Sequence, residues 1–328
     1  MASVGSTKVD HELAELLRHE PGLHVAEMST LAEARSHMFP TFLQAGTDVH
    51  GSHGLFYWLR ARGKGVFLWA DNAGIVLTWR PDVGRLVALR PIGELGAVVD
   101  LLDTVAKLTS IRWPCVPLVA RYCSNPVAAR LAKRGWARPS RPWLPDMPLD
   151  DEAYPEVVIT GAPLETPNGR QYKFVRIAAY RHAARYSYHA SSAPIDCGEA
   201  KFITTQTARV DRYDEQEKSF NAALLAALNF RHHHGITYHY LLRGGQLFGF
   251  SITSNTTGVS HSHFMGTSKL SRLSTYFNWK IYLEERRRGA LALNLGGSET
   301  ESLHLFKIRT FPEHVLQQTT ILQYLALG

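Results

Sequence analysis

The sequence predicts an α+β protein made of two similar halves, and three observations support this. Each half repeats the order helix, antiparallel hairpin, strand, helix, strand. Each hairpin has a strong turn signal, Asp71-Asn72-Ala73-Gly74 in the first half and Gly244-Gly245 in the second. Apolar residues recur at helical spacing between the strands. This order predicts helices that cover a partly antiparallel, mixed sheet in each half.

The first half contains seven predicted elements. They are a helix at 31–44, strands at 66–69, 75–79 and 86–89, a helix at 97–108, a strand at 116–120 and a helix at 127–134. Pro126, after Ser124-Asn125, is typical of a helix start, and Gly135 is typical of a helix end.

Five prolines then crowd the chain and indicate a linker. They are Pro139, Pro142, Pro145, Pro148 and Pro155. The length of 328 residues fits about two domains. We therefore expect an N-terminal domain at 1–150 and a C-terminal catalytic domain at 151–328.

The second half repeats the plan. It contains a basic helix that opens near Tyr172, a helix at 214–230, strands at 238–242, 247–253 and 259–264, a helix at 273–288 and a strand at 290–295. A polar loop follows Gly296-Gly297. We expect Lys307 to be a loop lysine held between buried apolar neighbours, which is how sites are often positioned. The alternative is a lysine that extends to solvent from the edge of the core.

The composition is that of a soluble globular protein, with 45% hydrophobic and 20% charged residues. The first residues lack the apolar segment of a signal peptide, and no apolar run is long enough to cross a membrane. The three cysteines have no metal-type spacing, and their small, odd number suits a reducing compartment. These observations predict a cytoplasmic protein with no integral membrane association.

The net charge of +7 favours a polyanionic partner. Basic residues without an intervening acid cluster in one segment: Arg170, Lys173, Arg176, Arg181 and Arg185. Tyrosines alternate with them, and Tyr180 shares a helical face with Lys173 and Arg176. Phosphate contacts with aromatic stacking suit a flexible single-stranded RNA end. A solvated helix face is the equally weighted alternative.

Five passages of the second half resemble a known family. They are RGGQLFGFSI, SHSHFMG, EERRRGA, LNLGGS and LHLFKIRTF. They resemble the Fem aminoacyl-transferases and the C-terminal domain of phosphatidylglycerol lysyltransferase, which contain two tandem GNAT-like domains. The resemblance spans roughly residues 20–320 and is specific in the last 75. In length and layout the chain is most similar to the soluble antibiotic-pathway members of this group.

The resemblance implies transfer of an amino acid from aminoacyl-tRNA to an amine or hydroxyl of a small acceptor. Aminoacyl-tRNA is then the co-substrate, and no other cofactor is expected. The chain has neither the membrane domain of the lysyltransferase nor the coiled-coil arm of cell-wall Fem enzymes. We therefore expect a small-molecule acceptor, as in natural-product biosynthesis.

Two alternatives concern the donor and the activity. An acyl-CoA-dependent N-acyltransferase needs a Gly-rich loop at a helix N-terminus to bind the pyrophosphate. Residues 60–65 (RARGKG) fit that pattern but precede a predicted strand, and residues 266–272 (GTSKLSR) contain one glycine. Both features argue against CoA. The other alternative is an RNA-binding protein with a degenerate, non-catalytic transferase fold.

The resemblance also implies one site residue, Lys307, and the residues around it supply further candidates. Lys307, in the Phe-Lys of the family pattern, is expected to stabilise charge at the ester or at the leaving 3′-oxygen. Glu299 and Glu301 are candidates for binding the α-ammonium group or for the general base, or they are ordinary surface acids. Tyr180 and Ser298 are expected in the substrate pocket.

Three further assignments come from the residues themselves. His261 and His263 alternate on a strand and point one way, so His263 is a candidate general base. Further candidates for phosphate contacts are Lys269, Arg272, Arg287 and Arg309. The run His232-His233-His234 lacks companion ligands at metal-type spacing, so no metal is expected.

Overall fold

The computed structural model describes residues 3–28, 54–70, 72–80, 84–139, 154–161, 164–207, 215–229, 235–255, 258–298 and 300–325. They divide into two compact units. The first contains the described residues up to 139 and residues 318–325, and the second contains Tyr154–Gln317. The predicted helix at 31–44, Pro142, Pro145, Pro148, Glu299 and His232–His234 lie outside the described ranges.

The elements of the described ranges, in chain order, are numbered separately for helices and strands. The helices are α1 (Ser3–Arg18), α2 (Gly54–Arg60), α3 (Leu95–Arg112), α4 (Asn125–Ala132), α5 (Lys173–His182), α6 (Glu199–Thr207), α7 (Glu215–Ala227), α8 (Leu273–Arg287) and α9 (Glu301–Thr310). The strands are β1 (His24–Glu27), β2 (Val66–Ala70), β3 (Ala73–Arg80), β4 (Arg85–Gly93), β5 (Leu118–Cys123), β6 (Trp136–Ala137), β7 (Glu156–Ile159), β8 (Ser187–Ser191), β9 (Ile236–Arg243), β10 (Gln246–Asn255), β11 (Val259–Thr267), β12 (Ala292–Asn294), β13 (His314–Gln317) and β14 (Thr320–Tyr324).

The first unit has a seven-stranded sheet in the order β1-β2-β3-β4-β5-β14-β6. Its parallel pair is β4 and β5, which α3 connects. The apolar stripe of α3 is buried, as its helical spacing predicted, and it packs with Leu13 and Leu17 of α1 against one face of this sheet.

The second unit has a seven-stranded sheet in the order β13-β7-β12-β11-β10-β9-β8. Its parallel pair is β11 and β12, which α8 connects. The core on one face includes Tyr172, Phe277, Tyr282 and Phe311. Both units thus have one parallel pair joined by a helix within otherwise antiparallel strands, so the predicted internal repeat is confirmed.

The parallel pair separates at the same place in both sheets. Hydrogen-bonded pairing of β4 with β5 ends at Leu89 and Arg121, although both strands continue. Pairing of β11 with β12 ends at His261 and Asn294, and β11 continues to Thr267. We call these places the first split and the second split.

A β-bulge lies beside each split. In the first unit Gly74 pairs with Ile92 and Val76 with Leu89, which leaves two residues of β4 opposite one of β3. In the second unit Ile252 pairs with Phe264 and Thr253 with Ser262, so His263 is the extra residue. A bulge bends its strand and redirects side chains, which helps to open the sheet there.

Two predictions about the end of the chain are wrong. Lys307 lies on a helix and not in a loop, because the Thr300 side chain accepts a hydrogen bond from the Leu303 amide and caps α9. The C-terminal domain does not extend to 328, because β14 pairs with β5 and β6 in the first sheet.

Within the described ranges no helix is long and apolar enough to cross a membrane.

Candidate functional site

The two faces of the second sheet carry different polar groups near the second split. Thr253 of β10 and Ser260 of β11 both donate to the Glu285 carboxylate, so they face α8. Ser254 and His261 occupy the next positions and point to the opposite face, because side chains alternate along a strand. On that face α6 contacts β10 and β11.

His263 lies at the second split on this opposite face. Its Nε2 is 2.6 Å from the Ser254 hydroxyl, and its ring centroid is 5.0 Å from that of His261. His263 is half-buried, whereas His261 is buried. A half-buried imidazole with a hydroxyl partner can exchange a proton with a bound nucleophile.

Lys307 holds the backbone on the β12 side of the second split. Its ammonium donates to the carbonyl oxygens of Leu295, Gly296 and Gly297, at 2.9, 3.0 and 2.6 Å. The amide of Gly296, which has a φ of 70°, donates to the Asn294 side chain at 2.7 Å. These bonds fix the turn that follows β12.

Ser298 follows this turn, and its side chain is 2% exposed. Its hydroxyl has no hydrogen-bond partner among the described residues. A buried hydroxyl without a partner is rare in folded proteins and often has a functional role. Glu301, in the first turn of α9, is exposed. Glu299 lies outside the described ranges.

The turn between β11 and α8 meets α5 on a basic surface. Arg181 donates to the Ser271 hydroxyl at 3.3 Å, and the His182 ring lies 2.9 Å from the Ser271 carbonyl oxygen. The Arg272 guanidinium lies over the Phe174 ring at 4.5 Å. Lys269 is exposed in the same turn. We call Phe174, Arg181, Lys269 and Arg272 the basic surface.

Three backbone amides of this turn are engaged within the protein. Those of Ser268, Leu270 and Leu273 donate to backbone carbonyls at 2.8, 2.7 and 3.1 Å. Arg272, the N-cap of α8, has a left-handed backbone with a φ of 63°. A phosphate group would therefore be bound here mainly by side chains, unlike the pyrophosphate of CoA in a glycine-rich loop.

The basic surface does not include all the residues predicted to contact RNA or substrate. Lys173, Arg185 and Tyr180 are exposed on or just after α5, and Arg309 is exposed on α9. Arg176 turns back to donate to the carbonyls of Pro167 and Gly169.

Arg287 lies apart from the basic surface, so the structure does not bring it together with Lys269 and Arg272. It belongs to the last turn of the 15-residue helix α8, about 22 Å from its start. Two hydrogen bonds, 2.9 and 2.6 Å long, join its guanidinium to the Glu284 carboxylate. This bonding lowers the pKa of Glu284 to about 2.

The sequence did not reveal a buried polar network that ties β8, β9, β10 and β11 to α8. His239 is 2.7 Å from the Tyr188 hydroxyl and 2.8 Å from the Thr253 hydroxyl. Burial lowers the pKa of His239. Burial acts to raise the pKa of Glu285, but the hydrogen bonds from its neighbours outweigh it and the pKa is lowered. A neutral imidazole and a charged carboxylate fit these directions.

A signal for this network existed in the sequence. His239, Thr253 and Ser260 are polar residues within predicted strands. Sequence spacing does not show that such residues meet one carboxylate. Within the described ranges no group of three or more His, Cys, Asp or Glu side chains is suited to hold a metal ion.

The sequence matches no protein-family model and no curated protein. Solved structures are similar in fold. A conserved protein of unknown function from Bacteroides thetaiotaomicron is 15% identical, with a TM-score of 0.68 over 92% of this chain and 100% of that one. L-PGS from Bacillus licheniformis is 14% identical, with a TM-score of 0.62 over 89% and 92%. FemX is 12% identical, with a TM-score of 0.52 over 80% and 84%.

These likenesses span most of each chain and include both units. They agree with the repeated sheet plan, in which a helix joins one parallel pair within antiparallel strands. The predicted α+β class is therefore confirmed, and the chain has the tandem GNAT-like fold that it shares with L-PGS and FemX.

Proposed function

We propose that this protein is an acyltransferase that moves an amino acid from aminoacyl-tRNA to the amine or hydroxyl of a small acceptor. The observation that carries the proposal is the arrangement around the second split. The basic surface immediately follows β11 at the start of α8, and His263 lies on the other face of the same strand. Donor and acceptor can thus approach the split from opposite faces of the sheet.

The basic surface suits the 3′ end of a tRNA. Lys269, Arg181 and Arg272 supply charge for phosphates, and Phe174, which is 39% exposed, supplies an aromatic ring. Tyr180, which lies outside the basic surface on α5 and is 91% exposed, can supply a second ring. Stacking on aromatic rings together with cationic contacts is the usual way to bind single-stranded RNA without reading its sequence. The engaged amides of Ser268, Leu270 and Leu273 favour this donor over a CoA thioester.

The reaction requires a single acyl transfer. The nitrogen or oxygen of the acceptor attacks the ester carbonyl, a new amide or ester bond forms, and the bond to the ribose oxygen breaks. In our proposal His263 removes the proton from the nucleophile and returns it to the departing ribose oxygen. The ester is already activated, so positioning and electrostatic stabilisation can supply most of the rate enhancement.

Lys307 has two proposed contributions. It fixes the turn at 295–297 through three carbonyls, and its positive charge stabilises the negative charge that develops on the ester oxygen. Ser298, whose buried hydroxyl follows that turn, is proposed to contact the substrate.

Binding measurements distinguish the two possible donors. Calorimetric titrations of the full chain compare an RNA hairpin ending in aminoacylated CCA with acetyl-CoA under the same salt. We expect binding of the aminoacylated hairpin, weakened by salt, and little heat with acetyl-CoA. Tight acetyl-CoA binding without RNA binding would contradict the proposal and favour an acyl-CoA-dependent N-acyltransferase.

A further inference from the structure

The first unit concentrates arginines at the first split. Arg60, Arg90 and Arg121 place their guanidinium carbons 5.7, 5.4 and 4.6 Å from the centre of the Tyr122 ring. Arg90 also lies 4.4 Å over the Phe56 ring. Three guanidinium groups, which remain protonated in proteins, thus surround one ring.

Arg62 extends this group. Burial chiefly lowers the pKa of Arg62 to about 9, and the charges of Arg80, Arg60 and Arg121 lower it further. Such mutual influence requires these arginines to lie close to one another. We call Arg60, Arg62, Arg80, Arg90 and Arg121 the arginine cluster.

Backbone strain marks the same place. Arg90 and Tyr122 both have positive φ, 32° and 61°, although neither is glycine. They directly follow Leu89 and Arg121, the last pair of β4 and β5, so they stand on the two strands where the sheet opens. Positive φ for such residues costs about 1–3 kcal/mol each and tends to occur at functional sites. The Tyr57 hydroxyl donates to the Arg90 carbonyl at 3.0 Å and helps to hold this conformation.

We propose that the first unit binds a small phosphate-bearing molecule at the arginine cluster. Guanidinium groups match phosphate oxygens with paired hydrogen bonds, and several of them suit a terminal phosphate or diphosphate. Arg80 and Arg90 are 7% and 6% exposed, so a compact terminal group reaches them more readily than an RNA backbone does. The inference rests on the first unit alone and does not depend on the proposed transferase activity.

The two splits therefore differ in chemistry although they share a plan. The second split carries His261, His263 and Ser254, which suit proton transfer. The first split carries arginines and aromatic rings, which suit binding of an anion. In this view one unit binds an anionic molecule while the other contains the reaction centre.

Calorimetry with inorganic pyrophosphate tests the proposal in the full chain at constant ionic strength. We expect one binding site in the wild type, and affinity reduced about tenfold or more in Arg62→Gln and Arg121→Gln, because each loses a charge-assisted contact. Arg130→Gln, an exposed arginine of α4 outside the cluster, should bind as the wild type does. Unchanged binding in both cluster variants, or no binding to the wild type, overturns the proposal.

Chemical protection provides a second readout that needs no variant. Phenylglyoxal modifies accessible arginines, and peptide mass spectrometry locates the products. Pyrophosphate should protect Arg62 and Arg121 in the wild type and leave Arg130 unprotected. Equal modification with and without pyrophosphate contradicts the proposal. If a single-stranded RNA ending in CCA protects these arginines at lower concentration than pyrophosphate does, the small-molecule assignment is wrong.

Discussion

The ammonium nitrogen of Lys307 lies 2.9 Å from the carbonyl oxygen of Leu295. This hydrogen bond joins α9 to the turn after β12. Two further carbonyls, those of Gly296 and Gly297, accept from the same ammonium. One buried ammonium group thus holds the backbone on the β12 side of the second split. In the sequence this lysine resembles a functional residue of the Fem pattern, and in the structure it holds the backbone.

Lys307→Met should therefore lower both stability and transfer rate. Loss of the ammonium leaves three carbonyls without their charged donor, and we expect a free energy of unfolding lower by about 3 kcal/mol. Urea denaturation and initial transfer rates measure the two effects. Lys280→Met, a lysine of α8 above the Tyr188 ring, is the control. A Lys307→Met protein with wild-type stability and rate would show that Lys307 neither holds the turn after β12 nor contributes to transfer.

His263→Gln should slow transfer about 100-fold, the contribution typical of a general base, and leave RNA affinity within about twofold. His189→Gln, an exposed histidine on β8, should leave the rate unchanged. Single-turnover transfer and RNA titration separate the two effects. Equal rates for His263→Gln and the wild type would exclude His263 as the base.

Lys269→Gln and Arg272→Gly should each weaken binding of the aminoacylated hairpin. Each should also lower, by about one, the slope of log affinity against log salt concentration, because one phosphate contact is lost. Glycine suits position 272 because its φ is 63°. Arg287→Gln serves as the control, since Arg287 is bonded to Glu284 at the other end of α8. Binding that falls equally in all three variants would indicate a nonspecific charge effect and contradict the assigned surface.

The buried network predicts a loss of stability as the solution is acidified. Folding lowers the pKa of His239 below 6.5, so the unfolded chain binds an extra proton when the pH falls below that value. The pKa of Glu285 is also lowered, so a second loss of stability begins when the pH falls below 4.5, the ordinary pKa of a glutamate. Both groups therefore stabilise the fold at neutral pH, and their contributions fade as the pH falls through the folded pKa values.

His239→Gln should flatten the first part of this profile. Urea denaturation between pH 7.5 and pH 5 measures the free energy of unfolding of the variant and the wild type. The variant should be less stable at neutral pH and should lose less stability on acidification. Parallel profiles for the two proteins would show that His239 does not cause the dependence.

Local signals predicted much of the fold. The turn at Gly244-Gly245 located β9 and β10, and the apolar spacing of 97–108 located α3. The path of the C-terminal strand was missed, because pairing of β14 with β5 joins residues about 200 positions apart. Local signals also left β7 and α6 unassigned.

The candidate site was predicted less completely than the fold. His263 and the segment containing Lys269 and Arg272 were recognised from strand alternation and charge. The arginine cluster was missed because its members come from four segments, which meet only when the sheet forms. The partner of Arg287 is three residues away, yet the sequence pattern alone did not show that the pair forms.

The proposed activity of the second unit is transfer of an amino acid from aminoacyl-tRNA. The most direct test is the rate at which a labelled amino acid moves from aminoacyl-tRNA to a panel of small amines and hydroxyls, with and without prior RNase treatment. We expect a labelled product whose formation RNase abolishes and His263→Gln greatly slows. A product that forms equally well after RNase treatment, or the absence of product with every charged tRNA and acceptor tried, would contradict it.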